Sequence, residues 1–246
     1  PLAGRLAVNG LGPTSQEQEP IAMNKHIVRA GAALATVLLA TAAQAQVAGT
    51  FSVRIGATHI APQVRSGDLS APSFPGTRVD VDSASALTGG LNYMLTDHWA
   101  IDVPIGLPFK HSFYGDGAIA GVGKVGETKV LPATVFAQYR FGEANASFRP
   151  YLGLGVTYAK FFKERTTATL NALSGGTPAN PTTADIDDRF GLTPQVGFVY
   201  NFNERWFVDA AYYKSFLKTR THLSSGQSVS IRLNPNVFAV GIGYRF

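Results

Sequence analysis

The chain has 246 residues, a formal net charge of +5, no cysteine and only 15% charged side chains. Without cysteine there is no disulfide, thiolate metal site or cysteine nucleophile, and low charge with 16 Phe and 9 Tyr excludes a disordered chain. The basic excess lacks a run interleaved with aromatics, so no nucleic-acid partner is expected.

Met23 opens a basic stretch that runs to Arg29, residues 30–43 are apolar, and Ala43-Gln44-Ala45 has the A-x-A cleavage pattern. This order predicts a secretory signal peptide cut after Ala45. An anchoring helix would need a longer apolar run. Residues 1–22 precede that start and are expected to be a non-native upstream leader. The expected organisation is therefore leader 1–22, signal peptide 23–45 and one domain, 46–246.

Within the domain, Phe51, Val53, Ile55 and Ala57 share one parity, against Ser52, Arg54, Gly56 and Thr58 on the other. A strand alternates its faces at every residue, so this is a strand with one bulky and one small or polar face. A polar loop is expected over 62–85. Leu87, Leu91 and Tyr93 then oppose Thr88, Gly90 and Asn92; a short turn at 96–98 follows; and Trp99, Ile101, Val103 and Ile105 oppose Ala100, Asp102, Pro104 and Gly106. A second loop is expected over 110–129. Leu131, Val135 and Tyr139 next oppose Thr134, Phe136, Gln138 and Arg140, and a tight connection at 142–147 leads to Leu152, Leu154 and Val156 against Gly153, Gly155 and Thr157.

The longest polar segment spans 163–188. Leu192, Val196, Phe198 and Tyr200 then oppose Thr193, Gln195 and Gly197; Asn203-Glu204 is a turn; Trp206, Val208 and Tyr212 oppose Asp209, Ala211 and Tyr213; and a loop is expected around 222–227. The last strand puts Phe238, Val240, Ile242, Tyr244 and Phe246 on one face, with Val237, Ala239, Gly241, Gly243 and Arg245 on the other.

Eight such strands joined alternately by long and short connections predict an all-β fold, an eight-stranded antiparallel transmembrane β-barrel. Its short turns and both termini are placed on the periplasmic side of a Gram-negative outer membrane. Trp99, Trp206, Tyr244 and Phe246 are expected in an interfacial aromatic girdle. A soluble eight-stranded barrel is the structural competitor, and it would bury the bulky face that is here assigned to lipid.

Several stretches carry a family resemblance: Thr96-Asp-His-Trp-Ala-Ile-Asp-Val103 leading to Pro108-Phe-Lys-His111, Leu131 through Phe141, Arg149-Pro-Tyr-Leu-Gly-Leu-Gly-Val-Thr-Tyr158, and the terminal Gly241-Ile-Gly-Tyr-Arg-Phe246. Over most of the domain the chain resembles the OmpW family of small outer-membrane proteins, which includes AlkL-like hydrocarbon importers. The resemblance implies an eight-stranded barrel that passes small hydrophobic molecules inward. Asp102 stands where the family usually carries Glu.

An eight-stranded barrel has room inside for side chains or one small ligand. Parity turns Arg54, Asp102, Arg140 and Asp209 inward near the turn end, and enclosed charges must be paired or solvated. A salt-bridged periplasmic plug of these four is expected. Higher up, Ile60, Phe136, Phe161, Tyr213 and Leu217 face inward and are expected to form an apolar lumen for the solute. Five prolines, Pro104, Pro132, Pro150, Pro194 and Pro235, interrupt strands and cannot donate to a ladder. Each is expected to open a gap, and together they match the lateral exit that the resemblance implies.

Lys160, Lys163, Arg165, Lys214, Lys218, Arg220 and Arg232 gather at the external strand ends and suit lipopolysaccharide phosphates. Outer-membrane lipid and a small hydrophobic solute are the other expected partners. The terminal Phe246 adds the barrel-assembly machinery. His59, His111 and His222 lie in or beside loops with several Ser, but no spacing marks a Ser-His-carboxylate set. An enzyme is not expected, nor is a cofactor or a metal. The alternative reading is a structural, adhesive or receptor barrel with a filled interior and no transport.

Overall fold

The computed structural model describes residues 46–246, so the leader 1–22 and signal peptide 23–45 lie outside the described residues. Alternation of bulky and small residues produces strands throughout: β1 (Phe51–Ala61), β2 (Arg65–Ser66), β3 (Thr77–Val81), β4 (Ala84–Met94), β5 (Trp99–Gly106), β6 (Phe109–Gly117), β7 (Lys124–Arg140) and β8 (Phe148–Thr166). A two-turn helix α1 (Ala168–Ser174) follows, then β9 (Ala184–Ile186), β10 (Arg189–Asn201), β11 (Trp206–Lys214), β12 (Lys218–Leu223), β13 (Ser228–Arg232) and β14 (Asn236–Arg245).

Eight of these strands close on themselves in the order β1-β4-β5-β7-β8-β10-β11-β14, every contact antiparallel. Closure removes the unpaired sheet edges that lipid cannot satisfy. Ile242 is 52% exposed and Phe238 54%. Together with Leu91, Ile105, Val135, Leu154 and Val196, also exposed, they form an apolar outer belt. A water-soluble barrel would bury these groups; here the opposite parity is inside. No helix among the described residues is long and apolar enough to cross a membrane, so the strands do the crossing.

At the turn end Trp99 packs edge-on against Tyr139 at 5.2 Å, Trp206 against Tyr244 at 5.0 Å, and Tyr244 against Phe246 at 5.2 Å. Bulky aromatics at one height are what an interface between lipid and water selects.

The loop end is more ordered than the sequence suggests. β7 has 17 residues and β8 has 19, well beyond the ~9–11 that a tilted strand needs to cross. The expected loop at 110–129 is largely the β6–β7 hairpin, with Gly121 and Gly123 at positive φ in its turn. The expected loop at 62–85 contains β2 and β3, and the segment 163–188 contains the end of β8, α1 and β9. Around 222–227 only the tip of a β12–β13 hairpin remains. β2, β13, β12 and β9 form a separate four-stranded sheet. These strands escape a hydrophobic-period reading because each has only two to six residues, too few for the period to stand out, even though β13 alternates Val229 and Ile231 against Ser228, Ser230 and Arg232.

Candidate functional site

Inside the barrel, the apolar residues of the inward parity collect toward the loop end. Ile60 on β1, Phe109 on β6, Val130 and Ala159 on β7 and β8, Leu217 before β12 and Val237 on β14 pack as one buried cluster, with Phe161 and Tyr213 against it. They surround a chamber of ≈ 90 Å³. Above it, beneath α1 and the external strands, lies a second chamber of ≈ 320 Å³ lined by Leu69, Phe74, Ile119, Leu170 and Leu223. The two share Phe113, Ile186, Thr221 and Ile231 as walls. Ile60, Phe161, Tyr213 and Leu217 thus line the lower chamber. Phe136 does not: it is wholly buried one level down, edge-on to Tyr213 at 5.4 Å, and the two rings make a floor. Gly155 on the neighbouring strand leaves the space for Phe136, since a Cβ there would stand 2.5 Å from its ring.

A belt of hydroxyls encircles the same level. Thr134 and Thr157 oxygens are 2.8 Å apart, Thr157 and Thr193 2.7 Å, and Thr193 donates to Ser215 at 3.0 Å. Thr58 and Thr88 pair at 2.7 Å on the far wall. Hydroxyls that bond one another leave their methyl groups for the chamber.

Beneath the floor the interior is polar and filled. Arg54 donates to both oxygens of Asp102, at 2.5 and 2.8 Å, and its Nε stands 3.8 Å from Asp209. Gly90 makes room for this guanidinium, because a Cβ there would lie 2.5 Å from Arg54 Cζ. Tyr151 donates to Asp209 at 3.1 Å, and Asn92, Gln138 and Gln195 link across the lumen.

Arg140 departs from the expected four-residue plug. It makes no ion pair among the described residues, and its guanidinium donates instead to Gln46 Oε1 at 2.6 Å. It sits one tier below the carboxylates, with Arg149 and Arg245. Arg149, wholly buried, donates to the carbonyls of Gln46, Asp97 and Gly142. Arg245 bonds Asn201 and the Glu204 carbonyl and lies over the Phe207 ring at 4.5 Å. Carbonyl and amide oxygens replace carboxylates as the partners of these three buried cations.

Gln46, Arg149, Tyr151 and Phe207 are part of this plug without having been singled out from sequence. Continuing the Gly153 parity back through Tyr151 to Arg149 would have found two of them. Nothing in the sequence signals that Gln46 tucks its side chain into the barrel.

The prolines separate into two groups. β5 pairs with β7 only from Trp99↔Tyr139 to Asp102↔Phe136. The chain then turns through Leu107 and Pro108, and β6 rejoins β7 at Phe109↔Val130. Between these points residues 103–108 face residues 131–135 without a ladder, and Pro104 and Pro132 line the lower chamber there. Pro235 also lines that chamber, buried, near the loop end.

Pro150 and Pro194 face outward, and Pro150, contrary to the expectation for each proline, opens no gap. Pro150 is paired with Phe198 in an unbroken β8–β10 ladder. Pro194 is paired with Leu154 in that ladder. On its other side β10–β11 pairing stops at Gln195↔Tyr213, with one bridge beyond at Leu192↔Phe216. Neither proline reaches the lower chamber.

On the outer rim Lys160, Lys163, Arg165, Lys218, Arg220 and Arg232 are exposed and Lys214 is partly so. His59 Nδ1 lies 2.8 Å from Ser85 Oγ on the exposed wall.

A closed barrel with an apolar exterior, a polar plug at one end and apolar chambers toward the other defines a small transmembrane β-barrel of the outer-membrane type. The chain belongs to the OmpW family, whose profile matches residues 47–246, and it is an integral outer-membrane protein. Outer membrane protein W of Vibrio cholerae is 36% identical over 80% of this chain and 89% of that protein. The crystal structure of OprG from Pseudomonas aeruginosa superposes with a TM-score of 0.73 at 29% identity, covering 82% of this chain and 99% of that one. The dibenzothiophene metabolism operon protein PahQ of Pseudomonas aeruginosa is 26% identical over 80% of this chain and 88% of that protein.

Proposed function

We propose that the protein admits small hydrophobic molecules through the outer membrane by a sideways route. A solute enters from the loop end, passes the upper chamber, occupies the lower one, and leaves between β5 and β7 into the bilayer. The periplasmic turn end stays closed by Arg54, Asp102, Asp209 and the arginine tier. The observation that carries this reading is the unpaired stretch of wall, 103–108 against 131–135, at the height of the apolar chamber and above the plug. A solute that cannot go down has that opening at its side. The name of the relative PahQ is consistent with it, since dibenzothiophene is a fused, uncharged aromatic. No bond-making step is needed, and the exposed His59–Ser85 contact is read as structural. The basic rim would face lipopolysaccharide phosphates, and Phe246 would serve assembly of the barrel.

The test is uptake of a hydrophobic aromatic by vesicles holding the purified protein. Val at Pro104 and Pro132 restores two ladder donors in the gap, and uptake should fall several-fold. Pro194→Val, on the lipid face away from the chamber, should leave it unchanged. Equal uptake by the Pro104→Val/Pro132→Val protein, with the barrel folded, overturns the lateral route.

A further inference from the structure

We propose that the lower chamber prefers guests with an apolar body and one hydrogen-bond donor, a phenol or an alcohol, and that His111 Nε2 accepts that donor. This rests on the chamber being a solute site, as proposed above.

His111 is 5% exposed and forms part of the chamber wall. Its Nδ1 lies 2.8 Å from the Asp82 carbonyl oxygen. A carbonyl only accepts, so Nδ1 carries the proton, and in a neutral imidazole the second nitrogen is then an acceptor. Nε2 has no hydrogen-bond partner among the described residues. An acceptor without a partner on an apolar wall gains from a donor that binds it there.

The ring stays neutral for a physical reason. His111 is level with Lys110, whose ammonium pairs with Glu127 on the outer wall above the apolar belt. Burial pushes the imidazole below the ordinary histidine range, against the opposing pull of the Asp82 carbonyl and carboxylate. The Asp82 carboxylate is 3.9 Å from Nδ1 and accepts from the Ser112 N–H at 2.6 Å.

Competing polar groups in the chamber are mostly occupied. The hydroxyl belt is self-satisfied, Thr128 bonds the Phe162 carbonyl at 3.3 Å, and Thr219 bonds the Asp187 carbonyl at 2.6 Å. Thr221, at the junction of the chambers, can donate or accept and so does not discriminate. Nε2 does, because it only accepts.

Its position suits the route as well. His111 pairs with Thr128, two residues past Phe109↔Val130, where the wall gap ends. Two residues span about 7 Å, so a single-ring guest held at His111 would reach down to the Pro104–Pro132 opening. A carboxylate would meet a lone pair and an apolar wall, and should be excluded.

The experiment measures binding of p-cresol, p-xylene and 4-methylanisole to the full-length protein in lipid nanodiscs, each corrected for partition into empty discs. One net hydrogen bond corresponds to about three- to tenfold in affinity, so p-cresol should bind that much more tightly than either other guest. His111→Phe should abolish the preference while retaining p-xylene binding, and His111→Gln, which keeps an acceptor near the Nε2 position, should retain it. Equal binding of p-cresol and 4-methylanisole by the unaltered protein overturns the inference, and does so even if the variants fail to fold. A preference that survives in folded His111→Phe, or no binding of any guest, also overturns it. Vesicle uptake decides the transport reading separately: a donor preference without uptake sinks the lateral route alone, and uptake without a donor preference sinks only the role of His111.

Discussion

The Arg54 guanidinium holds Asp102 through two bonds, at 2.5 and 2.8 Å, and the carboxylate is wholly buried. The same cation reaches Asp209 only at 3.8 Å, and Tyr151 supplies Asp209 with a second partner. Removing one member of a buried bidentate pair leaves the other charge uncompensated, at about 3–5 kcal/mol. Asp102→Ala should therefore lower unfolding stability in lipid vesicles by that order, and Asp209→Ala by clearly less. Equal losses would mean that the two carboxylates share Arg54 evenly.

Gly155 and Phe136 make a second test. A Cβ at Gly155 would stand 2.5 Å from the Phe136 ring and 2.8 Å from the Val135 carbonyl oxygen. Gly155→Ala should destabilise the barrel by about 1–3 kcal/mol, the usual range for overpacking. Adding Phe136→Leu should recover part of the loss in the same unfolding measurement. Without any recovery, the backbone contact with Val135 would be the dominant clash.

Thr157 sits mid-chain in the hydroxyl belt, with Thr134 at 2.8 Å and Thr193 at 2.7 Å. Thr157→Val keeps the shape and removes both bonds. A loss of about 1–2 kcal/mol is expected, because one buried hydroxyl can turn to a new partner and the other cannot. Thr193 still has Ser215, so Thr134 should be the hydroxyl that hydrogen-exchange measurements find loosened.

Outside the membrane, Glu127 accepts from Lys124 at 2.5 Å and Lys110 at 2.9 Å. These bonds hold its carboxyl down at about 2, below its ordinary value of 4.5. A depressed carboxylate adds stability that is fully present above the unfolded value and is lost as pH falls through the folded one. The β6–β7 hairpin should therefore keep this contact down to pH about 2. A carbon-detected NMR titration of Glu127 checks this, and Lys124→Ala should move the midpoint upward.

The barrel was legible in the sequence because a strand in a two-sided environment must alternate. Phe238, Ile242 and Tyr244 against Gly241, Gly243 and Arg245 declare two faces, and a closed sheet of eight such strands follows with little freedom. The lower tier was less legible. Arg140 is inward by parity, but parity does not tell which oxygen meets a guanidinium, and here it is the amide of Gln46, 94 residues away.

The prolines show the same division. Their presence in strands could be read directly from the chain, and each forfeits one donor. Whether that loss matters depends on which neighbouring strand the missing N–H would have faced and on where that neighbour departs. Pro150 sits in a continuous β8–β10 ladder, and Pro194, beside the end of β10–β11 pairing, faces outward away from the chamber, whereas Pro104 and Pro132 line the chamber where β5 leaves β7. By itself, then, the sequence determined the membrane face, the eight barrel strands and the polar and apolar ends of the lumen, because each is a one-dimensional pattern imposed by lipid and by the pleat. Only the tertiary structure decided the opening in the wall, the partners of the buried cations and the free nitrogen of His111, because each depends on which distant strands come side by side and at what register.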